Sequence, residues 1–207
     1  MKTILTCFIL IFSVPAFADI VPLPPVKDAC VCDCQPGVTN PIGPEWLGQG
    51  QYGVCYNSLF IQFDLSGLDP GETINSAELQ LYCAAFHGTV SGDMLYSRIT
   101  EDWNQNTVKF TDQPAYTTDG QVVTGWPSAG TWHSVDVTDF VTAWYDGTED
   151  NYGIIGHSRN TTSTCDCQIP SSRYSGTTYD PRLVVDYTGT GTDIEAESLG
   201  TIKANLK

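Results

Sequence analysis

Leu59-Phe60-Ile61-Gln62-Phe63-Asp64-Leu65 and Ala77-Glu78-Leu79-Gln80-Leu81-Tyr82-Cys83 decide the fold class of this chain. In the first run Leu59, Ile61, Phe63 and Leu65 share one parity, against Phe60, Gln62 and Asp64. In the second, Ala77, Leu79, Leu81 and Cys83 alternate with Glu78, Gln80 and Tyr82. Side chains on a strand point alternately to its two faces, so each run reads as a strand with one core face and one wet face. Ser66-Gly67-Leu68-Asp69-Pro70-Gly71 supplies the turn between them, which makes the two strands antiparallel.

The same pattern continues outward. It predicts strands at Met94–Ile99, Thr107–Phe110, Gln121–Thr124, Thr131–Val135, Gly153–His157, Thr164–Ile169 and Arg182–Tyr187, with weaker signals at Ala29–Cys34 and Trp46–Leu47. One short helix interrupts them. Thr138 can cap it, Phe140, Val141 and Trp144 fall on one face, and Gly147 can end it. Roughly ten strands with one helix predict an all-β chain, a jelly-roll-like antiparallel β-sandwich. Composition agrees. Only 16% of residues are charged, while Gly (19) and Pro (12) are plentiful, which disfavours a helical bundle. The formal charge of −15 disfavours nucleic acid as a partner, because phosphate binding needs clustered Lys and Arg.

The two ends read differently. Residues 1–18 have the form of a secretory signal: Lys2, an apolar run from Ile4 to Val14, and the small-x-small site Ala16-Phe17-Ala18. The run is too short to cross roughly 30 Å of hydrocarbon, and no second one follows, so no membrane span is expected. Removing those eighteen residues takes away one base and one cysteine. The mature chain then has 189 residues, eight bases against 24 acids, a formal charge of −16 and seven cysteines. Residues 19–27, with Pro22, Pro24 and Pro25, read as an extended leader largely without sheet pairing, and residues 28–188 as the domain. Residues 189–207 read as a flexible linker and an amphiphilic tail with Leu199, Ile202 and Leu206, for packing on the domain or docking on a partner.

A secreted, extracellular chain meets oxidising surroundings, so its cysteines are expected to pair, and an odd count leaves at least one over. Cys30, Cys32 and Cys34 share one strand face, and Cys165 and Cys167 share another. Neighbours two apart on a strand sit about 6.6 Å apart at Cα, beyond easy disulfide reach, so bonds should run between strands. The matching spacings predict an antiparallel ladder that joins two of Cys30, Cys32 and Cys34 to Cys165 and Cys167. Cys55 and Cys83 follow core parity, and a bond between them is a further option. The competing reading is a thiolate site for zinc or copper(I).

Taken in order, several segments carry a resemblance. They are Lys27-Asp28-Ala29-Cys30-Val31, Asn57 through Ser66, Thr73 through Tyr82, Asp102-Trp103 with Thr107-Val108 and Gln113-Pro114, Trp132 through Trp144, Asn151-Tyr152-Gly153, and Asp180 through Val185. The chain from about Asp28 to Tyr187 resembles the DNRLRE-domain proteins, whose fold is classed among carbohydrate-binding modules. The family's naming hexapeptide is not visible, and the cysteines look like additions to its pattern. The resemblance implies a sandwich without catalysis, often attached to polysaccharide-acting enzymes or cell-surface proteins.

Sugar faces stack on Trp and Tyr rings, so aromatics near turns are the candidates for glycan contact: Trp126, Tyr116, Tyr145 and Tyr174, each with ordinary packing as its alternative. Trp103, Trp132 and Trp144 match family positions that look structural and are expected in the core. His87, His133 and His157 have no metal-ligand spacing, and no pair among the carboxylates is singled out for hydrolysis, so enzyme activity is a distant third reading. No cofactor is required. Asp136 and Asp139 flank the helix start, where the dipole favours carboxylates, and they leave room for a structural calcium. Asn160-Thr161-Thr162 is a glycosylation sequon. Two functional readings remain. One is a secreted, non-catalytic sandwich that binds a polysaccharide or cell-surface glycan or is adhesive there, with neutral or calcium-bridged glycans preferred because of the acidity. The other is a structural subunit of an extracellular filament, matrix or surface layer that binds copies of itself by strand addition or intermolecular disulfides.

Overall fold

A computed structural model of the chain describes residues 17–68, 70–159, 161–175 and 178–189. The signal segment up to residue 16, Asn160 of the sequon and the tail from residue 190 lie outside the described residues. The strands are β1 Phe17–Leu23, β2 Pro25–Cys32, β3 Trp46–Tyr52, β4 Cys55–Phe63, β5 Thr73–Cys83 and β6 Ala85–Gly88. They continue with β7 Asp93–Arg98, β8 Val122–Thr124, β9 Thr131–Asp136, β10 Ile154–Arg159, β11 Cys165–Pro170 and β12 Arg182–Gly189. The helix, α1, spans Thr138–Tyr145.

All pairings are antiparallel and fall into two sheets. One has the order β1-β12-β5-β9; the other has β6-β11-β3-β4-β10-β7-β8, with β2 also on β4. The alternation of β5 does what its sequence predicts: Ala77, Leu79, Leu81 and Cys83 are buried between the sheets, and Glu78 is exposed. Leu59, Ile61 and Phe63 of β4, Ile154 of β10, and Leu183 and Val185 of β12 complete the same core. The architecture is an all-β sandwich.

Phe60 departs from the expected wet parity. It is fully buried in a second cluster with Ala29, Val31, Ile99, Trp103, Val108 and Ile155 on the other face of the larger sheet. The segment from Ile99 to Tyr116 covers that face. Trp103 donates its indole N–H to the Tyr152 carbonyl at 2.8 Å, and the Lys27 ammonium reaches both Asp102 and the Trp103 carbonyl at 2.7 Å. Here lies the reason Thr107–Phe110 is not a strand. The Thr107 and Val108 amides donate back to the Asn104 carbonyl, and a 3-10 turn follows at Phe110–Asp112.

The leader is also paired, against expectation. β1 runs along β12 in the register Val21↔Val185 and Leu23↔Leu183. Leu23 packs against the core, and Pro22, at the sheet edge, needs no second ladder partner. Thr138 is not the helix cap either. Val137 holds that position, while the Thr138 hydroxyl accepts from the Ala77 amide at 3.0 Å and donates to Asp136 at 2.6 Å, tying α1 to β5. Gly147, at φ 69°, closes the helix end as predicted, and the Thr148 amide bonds back to the Ala143 carbonyl.

The cysteine ladder does not form. β2 lies on β4, with Cys30↔Leu59 and Cys32↔Asn57, whereas β11 lies between β3 and β6, with Cys167 opposite Gln49 and Phe86. Strands β3 and β4 therefore stand between the two clusters. Spacing within one strand carries no information about which strands are inserted between two others. The bond that forms is Cys34–Cys55, with the Cα atoms 5.3 Å apart. Cys30, Cys83 and Cys167 are buried free thiols that pack as small apolar residues in the core, and Cys32 and Cys165 are buried free thiols as well. Burial pushes the Cys30 pKa up to about 12, and the neighbouring Cys83 thiol, ahead of burial, raises that of Cys167. Cys55 is bonded to Cys34 and Cys83 stays a buried free thiol, so the Cys55–Cys83 option is also overturned.

Candidate functional site

The outward face of the four-stranded sheet is built by strand parity. Because Leu79, Leu81, Val135, Leu183 and Val185 point inward, Glu78, Gln80 and Tyr82 of β5, Trp132 and Ser134 of β9, and Arg182 of β12 point outward. Register brings them together. Tyr82 lies opposite Trp132, Gln80 opposite Ser134, and Arg182 opposite Gln80. Tyr179, on the approach to β12, folds over Tyr82 so that the rings stack with centroids 4.0 Å apart and planes 14° apart. Trp132 stands edge-on to Tyr82 at 5.5 Å.

Polar groups frame these rings. The Arg182 guanidinium lies 4.3 Å from the centroid of Trp132 and donates to Gln80 Oε1 at 2.8 Å. The Gln80 amide donates in turn to Glu78 at 3.0 Å. Tyr179 is 42% exposed, an exposure that leaves ring surface for a ligand. Desolvation first, and the neighbouring Tyr179 phenol second, raise the Tyr82 pKa, so its hydroxyl stays protonated. The arrangement offers stacked aromatic surface beside amide, guanidinium, carboxylate and hydroxyl groups. Such a surface suits a ligand with apolar CH faces and many hydroxyls.

The turn aromatics singled out from sequence are scattered. Trp126 is half-buried, not exposed: its N–H donates to the Ser91 and Gly92 carbonyls at 3.2 Å, and its ring packs on Phe86 and over Gly50. Gly50, at φ 124°, has no room for a Cβ, which would sit 2.6 Å from that ring. Tyr145 accepts the Glu72 amide through its hydroxyl at 2.9 Å, and Tyr174 packs edge-on against Trp46. Tyr116 is 38% exposed and leans on His157. Trp103 and Trp144 are buried as expected, but Trp132 faces outward. The signal that could have found it was parity, since Trp132 alternates with His133 and Val135 just as Tyr82 does with Leu81 and Cys83.

Asp136 Oδ1 accepts from the Thr138 hydroxyl and amide, which in that order hold the carboxyl pKa below its ordinary value. It shares a surface pocket of about 250 Å³ with Asp139. A larger pocket of about 410 Å³ is lined by Glu101, Asp102 and Asp112, but Lys27 pairs Asp102 and the Ala115 amide donates to Glu101. Among the described residues no helix is long and apolar enough to cross a membrane.

Residues 48–187, more than half of the chain, match the model of carbohydrate-binding module family 96. That span contains every residue of the aromatic platform. No curated protein matches the chain.

Proposed function

The chain belongs to carbohydrate-binding module family 96, and from that premise we propose that it is a secreted, non-catalytic glycan-binding protein whose ligand lies across Tyr82, Trp132 and Tyr179. The observation that carries this reading is the stack of Tyr179 on Tyr82 with Trp132 beside it, on the outer face of the four-stranded sheet. Pyranose CH faces would pack on the rings, while Gln80, Glu78 and Arg182 would meet hydroxyls at the rim. The acidity of the chain favours neutral glycans, or charged ones bridged by calcium.

Assembly into a filament or surface layer is supported less. The leader that could complete a neighbour's sheet is already paired with β12 of its own chain, so strand addition would require β1 to exchange or to pair along its outer edge. A glycan array probed with and without calcium tests the proposal. Binding to neutral glycans in either condition is expected, and silence across the array in both would overturn it.

A further inference from the structure

The geometry points to a reduction-gated soft-metal site at the corner where β2 leaves its sheet: Cys32, Cys34 and Cys55 as thiolates, with the Asp33 carboxylate as the fourth ligand. The Sγ atoms of the three cysteines and a carboxylate oxygen of Asp33 all lie within 4.8 Å of one another. Cys32 Sγ is 4.0 Å from Asp33 Oδ1. A tetrahedral zinc with bonds of about 2.3 Å needs sulfurs about 3.8 Å apart, so small side-chain adjustments suffice. Three sulfurs and one oxygen select zinc, cadmium or copper(I) over calcium or magnesium.

The corner is held in place from both sides. The Tyr56 amide donates to Asp33 Oδ1 at 2.8 Å, and the Asp33 amide donates to the Tyr56 carbonyl at 3.2 Å. These bonds would orient the carboxylate as outer-shell partners orient metal ligands. Cys32 is buried, Cys34 is exposed and Cys55 is half-buried, and Cys32 and Cys55 line a cleft of about 250 Å³ with Asn57, His87 and Asp166. An ion could enter by that cleft. Cys32, Asp33 and Cys34 precede the span matched to the family, and Cys55 lies within it.

The disulfide blocks the site. A dithiol reductant breaks the Cys34–Cys55 bond by giving it two electrons and two protons, and is itself oxidised to a cyclic disulfide. A divalent ion then binds three thiolates and one carboxylate, and the three thiol protons leave to solvent. Metal would thus replace the disulfide as the clamp between the end of β2 and the start of β4.

The test uses the full chain and cadmium, with tris(2-carboxyethyl)phosphine as reductant; phosphine plus water becomes phosphine oxide and supplies the two thiol protons. Cadmium is present during reduction. The oxidised chain should show no thiolate-to-cadmium absorption. The reduced chain should show it with one ion per chain by native mass spectrometry, and with Cys32, Cys34 and Cys55 protected from alkylation. Cys32→Ala should lose the absorption under reduction, and the Cys34→Ala/Cys55→Ala double variant should lack it without any reductant. Uptake at the full level in Cys32→Ala or in the double variant would overturn the site, because it would place the ion on Cys30, Cys83, Cys165 or Cys167. Absence of the absorption in the reduced chain, or loss of its strand circular dichroism with cadmium present, would overturn it as well.

Discussion

Replacing Asp28 with alanine should cost about 3 kcal/mol of stability. Asp28 is fully buried on β2. Its Oδ1 accepts the Ser171 hydroxyl at 2.8 Å and the Arg173 guanidinium at 3.4 Å, and its Oδ2 accepts the Ser172 amide at 2.6 Å. Alanine would leave the fully buried Ser171 hydroxyl and the Ser172 amide without these acceptors, at about 1–3 kcal/mol each. Breaking a buried ion pair costs about 3–5 kcal/mol. The low end applies because Arg173 is 28% exposed and keeps its bond to the Asp28 carbonyl at 3.0 Å. Relief of the carboxylate's own desolvation offsets part of the loss. For a domain of this size 1 kcal/mol shifts Tm by about 2–4 °C, so the melting point by near-ultraviolet circular dichroism should fall by about 6–12 °C. Asp28→Asn, which keeps one acceptor oxygen, should fall between. A drop below about 2 °C for Asp28→Ala would refute the view that this network anchors the 171–175 turn to β2.

Gly50→Ala should destabilise by more than about 1 kcal/mol and change Trp126 fluorescence, since a Cβ there would meet both the Cys165 carbonyl and the Trp126 ring; an unchanged denaturation midpoint and spectrum would contradict the packing. Acidification should weaken the fold below about pH 6.5. Burial lowers the pKa values of His133 and His157, the latter with a smaller push from Arg159. The unfolded chain therefore takes up their protons first, and stability falls as pH drops from the unfolded His value through the folded ones. Denaturant midpoints between pH 7.5 and 5 measure this, and the His133→Asn/His157→Asn double variant should flatten the slope. Phe60→Ala should cost about 3–5 kcal/mol, as for a buried aromatic; a surface-like cost below about 0.5 kcal/mol would mean that the Ile99–Tyr116 segment does not cover that face.

The sandwich was legible because alternation is a local signal, and β5 carries it on a sheet with one wet face. It misled at Phe60, where a distant segment covers the second face of β4 and removes the wet side altogether. Trp132 and Tyr82 carried readable parities, yet their meeting depends on the β5–β9 register, and Tyr179 joins them from a loop that no periodicity describes. The cysteines show the limit most clearly. Same-face spacing correctly excluded bonds between neighbours, but strand order decides which faces meet, and β3 and β4 intervene between the clusters. A position near a turn does not by itself expose an aromatic ring. Trp126 shows this, because a turn residue whose N–H finds two carbonyls and whose ring finds a glycine is a packing residue.

The most direct test of the central claim is affinity electrophoresis of the intact chain in gels containing soluble neutral polysaccharides (β-glucan, xylan and mannan), run beside Trp132→Ala, Tyr179→Ala and Tyr116→Ala. Truncating a central aromatic typically costs about 2 kcal/mol of binding, roughly thirtyfold in Kd. At least one polysaccharide should retard the native chain and Tyr116→Ala equally, while Trp132→Ala and Tyr179→Ala, with unchanged circular dichroism, migrate as if the gel held no polysaccharide. Retardation of both platform variants to the native extent would contradict the assignment of the ligand to this face.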